Sequence, residues 1–185
     1  MNRLIVANLV AFNACWFANV LGGGNGIPWF GPMVTGLWLT AHMFWLNENG
    51  RTSIRLLWLA GALGYAGDSA LVALYVIAFP ESAALGGPST IWMVALWVAF
   101  AATLNHSMRW LQGRLALALI FGAIGGPLAY WSGTKLGAIT FPSTDTALVA
   151  VGVEWAVLLP VLVYFSARWS PQSATRQVPL PTEGL

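Results

Sequence analysis

Residues 54–79 read IRLLWLAGALGYAGDSALVALYVIAF. Beyond Arg55 the run holds one charged residue, Asp68, before Pro80 ends it. At about 1.5 Å per residue, a helix of this length is longer than the roughly 30 Å of a bilayer's hydrocarbon core. A long apolar helix can also hide inside a large soluble protein, so the rest of the chain decides. Hydrophobic residues make up 58% of the 185 and charged residues only 8%. A soluble domain carries roughly 25% charged residues. Too few charges remain to cover a water-facing surface, so the chain reads as an integral membrane protein of one domain. A soluble enzyme, a nucleic-acid-binding module and a disordered chain are excluded. The net charge of +2 is spread along the sequence and makes no nucleic-acid footprint.

Five more apolar segments flank this one: Leu4–Leu21, Trp29–Leu46, Ile91–Trp110, Arg114–Ser132 and Ala147–Arg168. Turn-forming stretches separate them, among them GGGNGIP (22–28), PESAALGGPST (80–90) and GTKLGAITFPSTD (133–145). The fold expected is all-α and polytopic, with six transmembrane helices in residues 1–169. Residues 170–185, with Pro171, Pro179 and Pro181, read as a disordered cytoplasmic tail. The first span lacks a clean small-residue cleavage site and reads as uncleaved. With the N-terminus in the cytoplasm, Arg3, Arg51, Arg55, Arg109, Arg114, Arg168 and Arg176 fall inside and only Lys135 outside. That asymmetry is a positive-inside signal and puts both termini in the cytoplasm. Trp29, Trp92 and Trp131 then mark the outer boundary, and Trp45, Trp110 and Trp169 the inner one. Each half holds three spans and starts on the opposite side, which allows 3+3 inverted halves; FGP (30–32) and GGP (125–127) are faintly alike.

Several segments carry a resemblance: NACWFANVLGG (13–23), LNHSMRWLQGR (104–114) and GAIGGPLAYWSGTKLGAITFP (122–142). Together they resemble the domain-of-unknown-function 2878 family of small bacterial inner-membrane proteins. The resemblance spans roughly residues 4 to 168. It implies a helical domain in the bacterial inner membrane and no established activity. It also implies the company of fatty-acid-modifying methyltransferases and flavin oxidoreductases, hence lipid-modifying partners at the cytoplasmic face.

Ionisable groups inside a span are costly, about 2.5–3.5 kcal/mol each at a helix centre, and so point to function. Counted at 1.5 Å per residue, Asp68, Glu154, Asn19 and the Gly125-Gly126-Pro127 bend all fall about 20–22 Å from the cytoplasmic face. Pro127 also frees the carbonyl of Ala123. This level reads as an intramembrane polar site able to share a proton or hold a cation. The plainer reading is interhelical glue, with Asp68 bonded to Asn19 and Glu154 facing an outer vestibule. A second level lies about 6 Å from the cytoplasmic ends of their spans, where His42 and His106 sit with Asn105 and Arg109 nearby. Arginines beside imidazoles suit an acidic lipid head group. The plainer reading makes the arginines topology determinants and leaves the histidines to local hydrogen bonds. Gly61, Gly64 and Gly67 line one face of the third span, either for helix packing or for an acyl chain.

Much chemistry is demoted. The single cysteine, Cys15, allows no intrachain disulfide and no cysteine cage. Di-iron membrane oxygenases need many histidines and this chain has two. Two histidines make no zinc site without further ligands. Their equal depth permits a bis-histidine haem, but two polar residues at one interface is the commoner circumstance. Neither a metal nor another cofactor is expected. Tyr65 stands where an intramembrane aspartyl protease needs glycine, and no G-x-S-x-G elbow occurs. Three roles remain. The first is a lipid- or lipophile-binding component of lipid modification, accessory or catalytic. The others are a small proton-coupled permease using Asp68 and Glu154, and a structural subunit.

Overall fold

The computed structural model describes residues 3–46 and 52–170. Arg51, Arg176, the Trp45 side chain and the expected tail beyond Ser170 lie outside the described residues. Six α-helices are present among the described residues: α1 (Arg3–Gly24), α2 (Phe30–Ala41), α3 (Ile54–Ala73), α4 (Ile91–Ala101), α5 (Leu115–Lys135) and α6 (Thr144–Arg168). Four of them, α1, α3, α5 and α6, are long and apolar enough to cross a membrane. α2 is shorter and runs into a π-helical turn, His42–Leu46. Extended pairing among the described residues is limited to one bridge, Ala78 with Thr140.

α4 is the centre of the bundle. IWMVALWVAFA has no polar face, which suits a protein core and membrane hydrocarbon alike, and its contacts decide for the core. α4 packs on α1, α2 and α3, and Trp92, Trp97 and Ala101 are essentially inaccessible. The expected span Ile91–Trp110 is cut short here. After Ala101 the chain tightens into i-to-i+3 bonds: Leu104 N to Ala101 O (3.2 Å) and His106 N to Thr103 O (3.0 Å). The Thr103 hydroxyl bonds back to Phe100 O at 2.6 Å. Non-helical backbone inside a membrane protein needs substitute partners, and two side chains supply them. Asn8 of α1 donates to Ala102 O (3.3 Å) and accepts from the Ser107 hydroxyl (2.6 Å). Gln112 donates to Leu104 O at 3.2 Å.

Glycines set the remaining packing. The row on α3 is filled by protein, not by a lipid chain. Gly61 faces Val98, a Cβ at Gly64 would overlap the Trp97 indole, and one at Gly67 would overlap Glu154. On α5, Gly122 and Gly126 let the backbone and ring of Trp155 approach, and α5 packs along α6 over its length. The helix pairs do not repeat between the halves. An inverted repeat would pair α2 with α3 as α5 pairs with α6, yet α2 packs on α1 and α4. Trp92 also departs from expectation: it is buried against Gly23 of α1, not held in a boundary belt. Trp29, Trp110 and Trp131 are exposed.

Around this core the surface is apolar. Leu9, Leu37, Trp58, Ile124 and Val153 are all exposed, a girdle far larger than a soluble monomer tolerates. At the α5 C-terminal end the loops are tied together. Ala78 and Thr140 exchange bonds of 2.8 and 2.9 Å, and Gly24 of α1 packs against the Leu136 carbonyl.

Candidate functional site

Asp68 is wholly buried on α3. Trp97 of α4 donates its indole N–H to Oδ2 at 2.8 Å, and the Tyr130 hydroxyl of α5 donates to Oδ1 at 2.5 Å. Glu154 of α6 lies against Gly67, the residue before Asp68. Both of its carboxyl oxygens are buried and have no hydrogen-bond partner. Trp155 follows it and stacks on Trp97, with centroids 4.2 Å apart and planes 19° apart. Phe100 and Tyr130 meet the Trp155 ring edge-on at 5.2 and 6.4 Å. One element per side thus brings two carboxyls, a phenol and two indoles to one place.

Those rings form the rear wall of a crevice of about 390 Å³ between α1 and α5. Phe12, Trp16 and Phe17 of α1 and Gly125, Ala129 and Tyr130 of α5 line it together with Trp97 and Phe100 of α4. Phe17 and Phe121 are exposed and flank the lateral mouth. Gly125 is the glycine that opens into it: a Cβ there would meet only the Phe121 ring, at 3.9 Å. At the far end, Trp92, Gly133 and Ile139 close the space beneath the tied loops. An apolar cavity of this size, opening sideways onto an apolar girdle, falls in the range of small-molecule sites, roughly 300–1,000 Å³.

The two histidines also meet. Their ring centroids are 4.7 Å apart at 83°, and the Thr52 hydroxyl sits within 3.1 Å of His42 Nε2 and 3.2 Å of His106 Nε2. A hydroxyl gives one proton and can accept two, so at most one imidazole accepts from Thr52 and at least one donates to it. His42 is fully buried and its Nδ1 has no partner. With both Nε2 atoms on one hydroxyl, the pair has no opposed geometry for an axial haem. No group of three or more metal-ligating side chains occurs among the described residues.

The expected groupings hold in part. Asp68 and Glu154 come together, and so do His42 and His106. Asn19 does not join the carboxyls: it donates to Thr35 of α2 at 2.8 Å. Pro127 lies on the α5–α6 seam beside Gly152, which faces the Ala123 carbonyl that the proline frees. Asn105 accepts from Gln112 at 2.6 Å, which also reaches Ser166 of α6 at 3.1 Å. Arg109 is exposed on the short turn Arg109–Leu111. Neither histidine lines the crevice. Tyr130, Trp97 and Trp155 were not foreseen. The available signal was on α5, where Gly122, Gly126, Tyr130 and Gly133 recur at helical spacing and make one buried stripe.

Long apolar helices, a lipid-like surface and a polar cluster buried at mid-bundle define a helical protein of the membrane class. Within that class, the chain belongs to the family described as Protein of unknown function (DUF2878), whose model matches residues 5–161. No curated protein and no solved structure matches it.

Proposed function

We propose that this chain is a six-span protein of the bacterial inner membrane, both termini in the cytoplasm, that holds a lipid-like molecule in the α1–α5 crevice. The observation that carries this reading is the crevice itself: a space of about 390 Å³, walled by aromatic rings and opening sideways between two apolar helices. A ligand entering through that mouth comes from the hydrocarbon, and burying its apolar surface against protein repacks chains at little desolvation cost. In this reading the head group is not at His42 and His106, because neither lines the crevice. α2 with its π turn, and α4 with the turns after it, each provide enough chain to complete a crossing. The seven-to-one distribution of basic residues supports the orientation. In this reading the protein serves as an accessory or catalytic component beside lipid-modifying enzymes, with the exposed Arg109 rim as the face such partners meet.

Mass spectrometry of small molecules retained by gently purified protein tests the reading. A defined lipophile should copurify in stoichiometric amount and be lost when Gly125 is enlarged. A complement indistinguishable from bulk membrane lipid, unchanged in the Gly125 variant, would sink it.

A further inference from the structure

We propose that Asp68 and Glu154 form a one-proton site behind the crevice, with the proton on Glu154 and the charge on Asp68. The assignment comes from hydrogen-bond geometry. Both Asp68 oxygens receive donors, and one of those donors, the Trp97 indole, is unable to accept. Asp68 is therefore built as an acceptor, and charge-assisted bonds of this kind are the strong ones. Glu154 is the reverse case. Its carboxyl is buried against Gly67 with no donor at either oxygen. An unpaired buried charge costs far more than an unpaired buried neutral group. Two negative charges side by side in low dielectric would add repulsion to that cost. The titratable groups that bear on the pair are Asp68 on α3, Tyr130 on α5 and Glu154 on α6; α4 brings only Trp97.

The site has a mechanical consequence. Asp68 fixes Tyr130 and Trp97, two rings of the crevice wall. A second proton, arriving on Asp68, removes the charge that holds them. Proton uptake and lipophile occupancy are then linked, and linkage is reciprocal. This part rests on the crevice reading; the proton site does not.

Infrared spectroscopy in an ester-free detergent tests the two parts separately. At neutral pH the unaltered protein should show one protonated-carboxyl stretch. It should shift in heavy water and on isotopic labelling of glutamate, not of aspartate, and Glu154→Gln should remove it. If that variant does not fold, labelling of the unaltered chain decides alone. A missing band, or one that follows aspartate labelling, overturns the one-proton site. Asp68 and Asp145 are the two aspartates of the chain. In an Asp145→Asn background, acidification should therefore add one aspartate band from Asp68. Retained lipophile should leave over the same pH interval. Lipophile that stays bound after that band appears overturns the link. A protein carrying no lipophile at any pH counts against the crevice reading, and the neutral-pH band still judges the proton site.

Discussion

Gly125→Leu is the perturbation that separates ligand from scaffold. A Cβ at Gly125 has free space apart from the Phe121 ring at 3.9 Å. The leucine side chain therefore grows into the crevice and not into a neighbouring helix. Its four carbons take space the ligand would occupy; overpacking of this kind costs about 1–3 kcal/mol, which weakens retention by roughly five- to a hundredfold. The fold should not suffer, since replacing glycine within a helix relieves roughly 0.8–1 kcal/mol. Cys15 provides the stability assay: it is the only cysteine and is 1% exposed, so its thiol becomes reactive only as α1 comes away. The variant should lose its retained lipophile while Cys15 is unmasked no earlier on heating. Gly126→Ala is the control, because a methyl there overlaps the Trp155 ring. Overpacking of this kind costs about 1–3 kcal/mol, so that variant should expose Cys15 early. A Gly125→Leu protein that keeps the full complement of the unaltered one refutes the crevice as a binding site.

Four further outcomes are expected. Asp68→Asn turns an amide N–H₂ toward donors that have only one acceptor left, costing about 1–3 kcal/mol; Cys15 reactivity on heating should show the loss. Thr52→Val removes the hydroxyl shared by His42 and His106 and should destabilise by about 1–3 kcal/mol in the same assay, since both imidazoles are buried. Asn8→Ala strips Ala102 O and Ser107 of their partner, with a loss of about 1–3 kcal/mol. Single cysteines at the exposed positions Asn25, Ser82 and Ser143 should each label from the outside of sealed cells; labelling of any one only from the cytoplasm refutes the six-span orientation.

Long apolar runs are legible because one-dimensional patterning decides them. α3 starts at Ile54 as read, and Ser53 caps it by accepting from Arg55 N at 3.2 Å. The break in α4 was not legible, because nothing local demands it. One carbonyl it frees is satisfied by Asn8, far away in sequence, and another by Gln112, eight residues on and off the helical spacing. Depth along a helix could be counted, and it put Asp68 level with Glu154. Direction around the helix could not be counted, so Asn19 was grouped with carboxyls it does not touch. Trp97 and Trp155 were hidden among 11 tryptophans; only the stripe on α5 hinted that Tyr130 faces inward.

The break in α4 gives these sites a common carrier. Trp97 reaches Asp68, Phe100 lines the crevice, and His106 meets His42 and Thr52, all within residues 97–106. Between the helical part and the imidazoles stand the loosened turns that Asn8 holds in place. A staple serving stability alone, once removed, should leave the ligand where it was. A staple that fixes α4 against α1 should do more, because α1 is another wall of the crevice. Asn8 does not line that crevice. The expectation is therefore that Asn8→Ala lowers lipophile retention as well as stability, at temperatures where Cys15 is still protected. An Asn8→Ala protein that unfolds early yet holds its full lipophile complement until then would show that the two ends of α4 act independently.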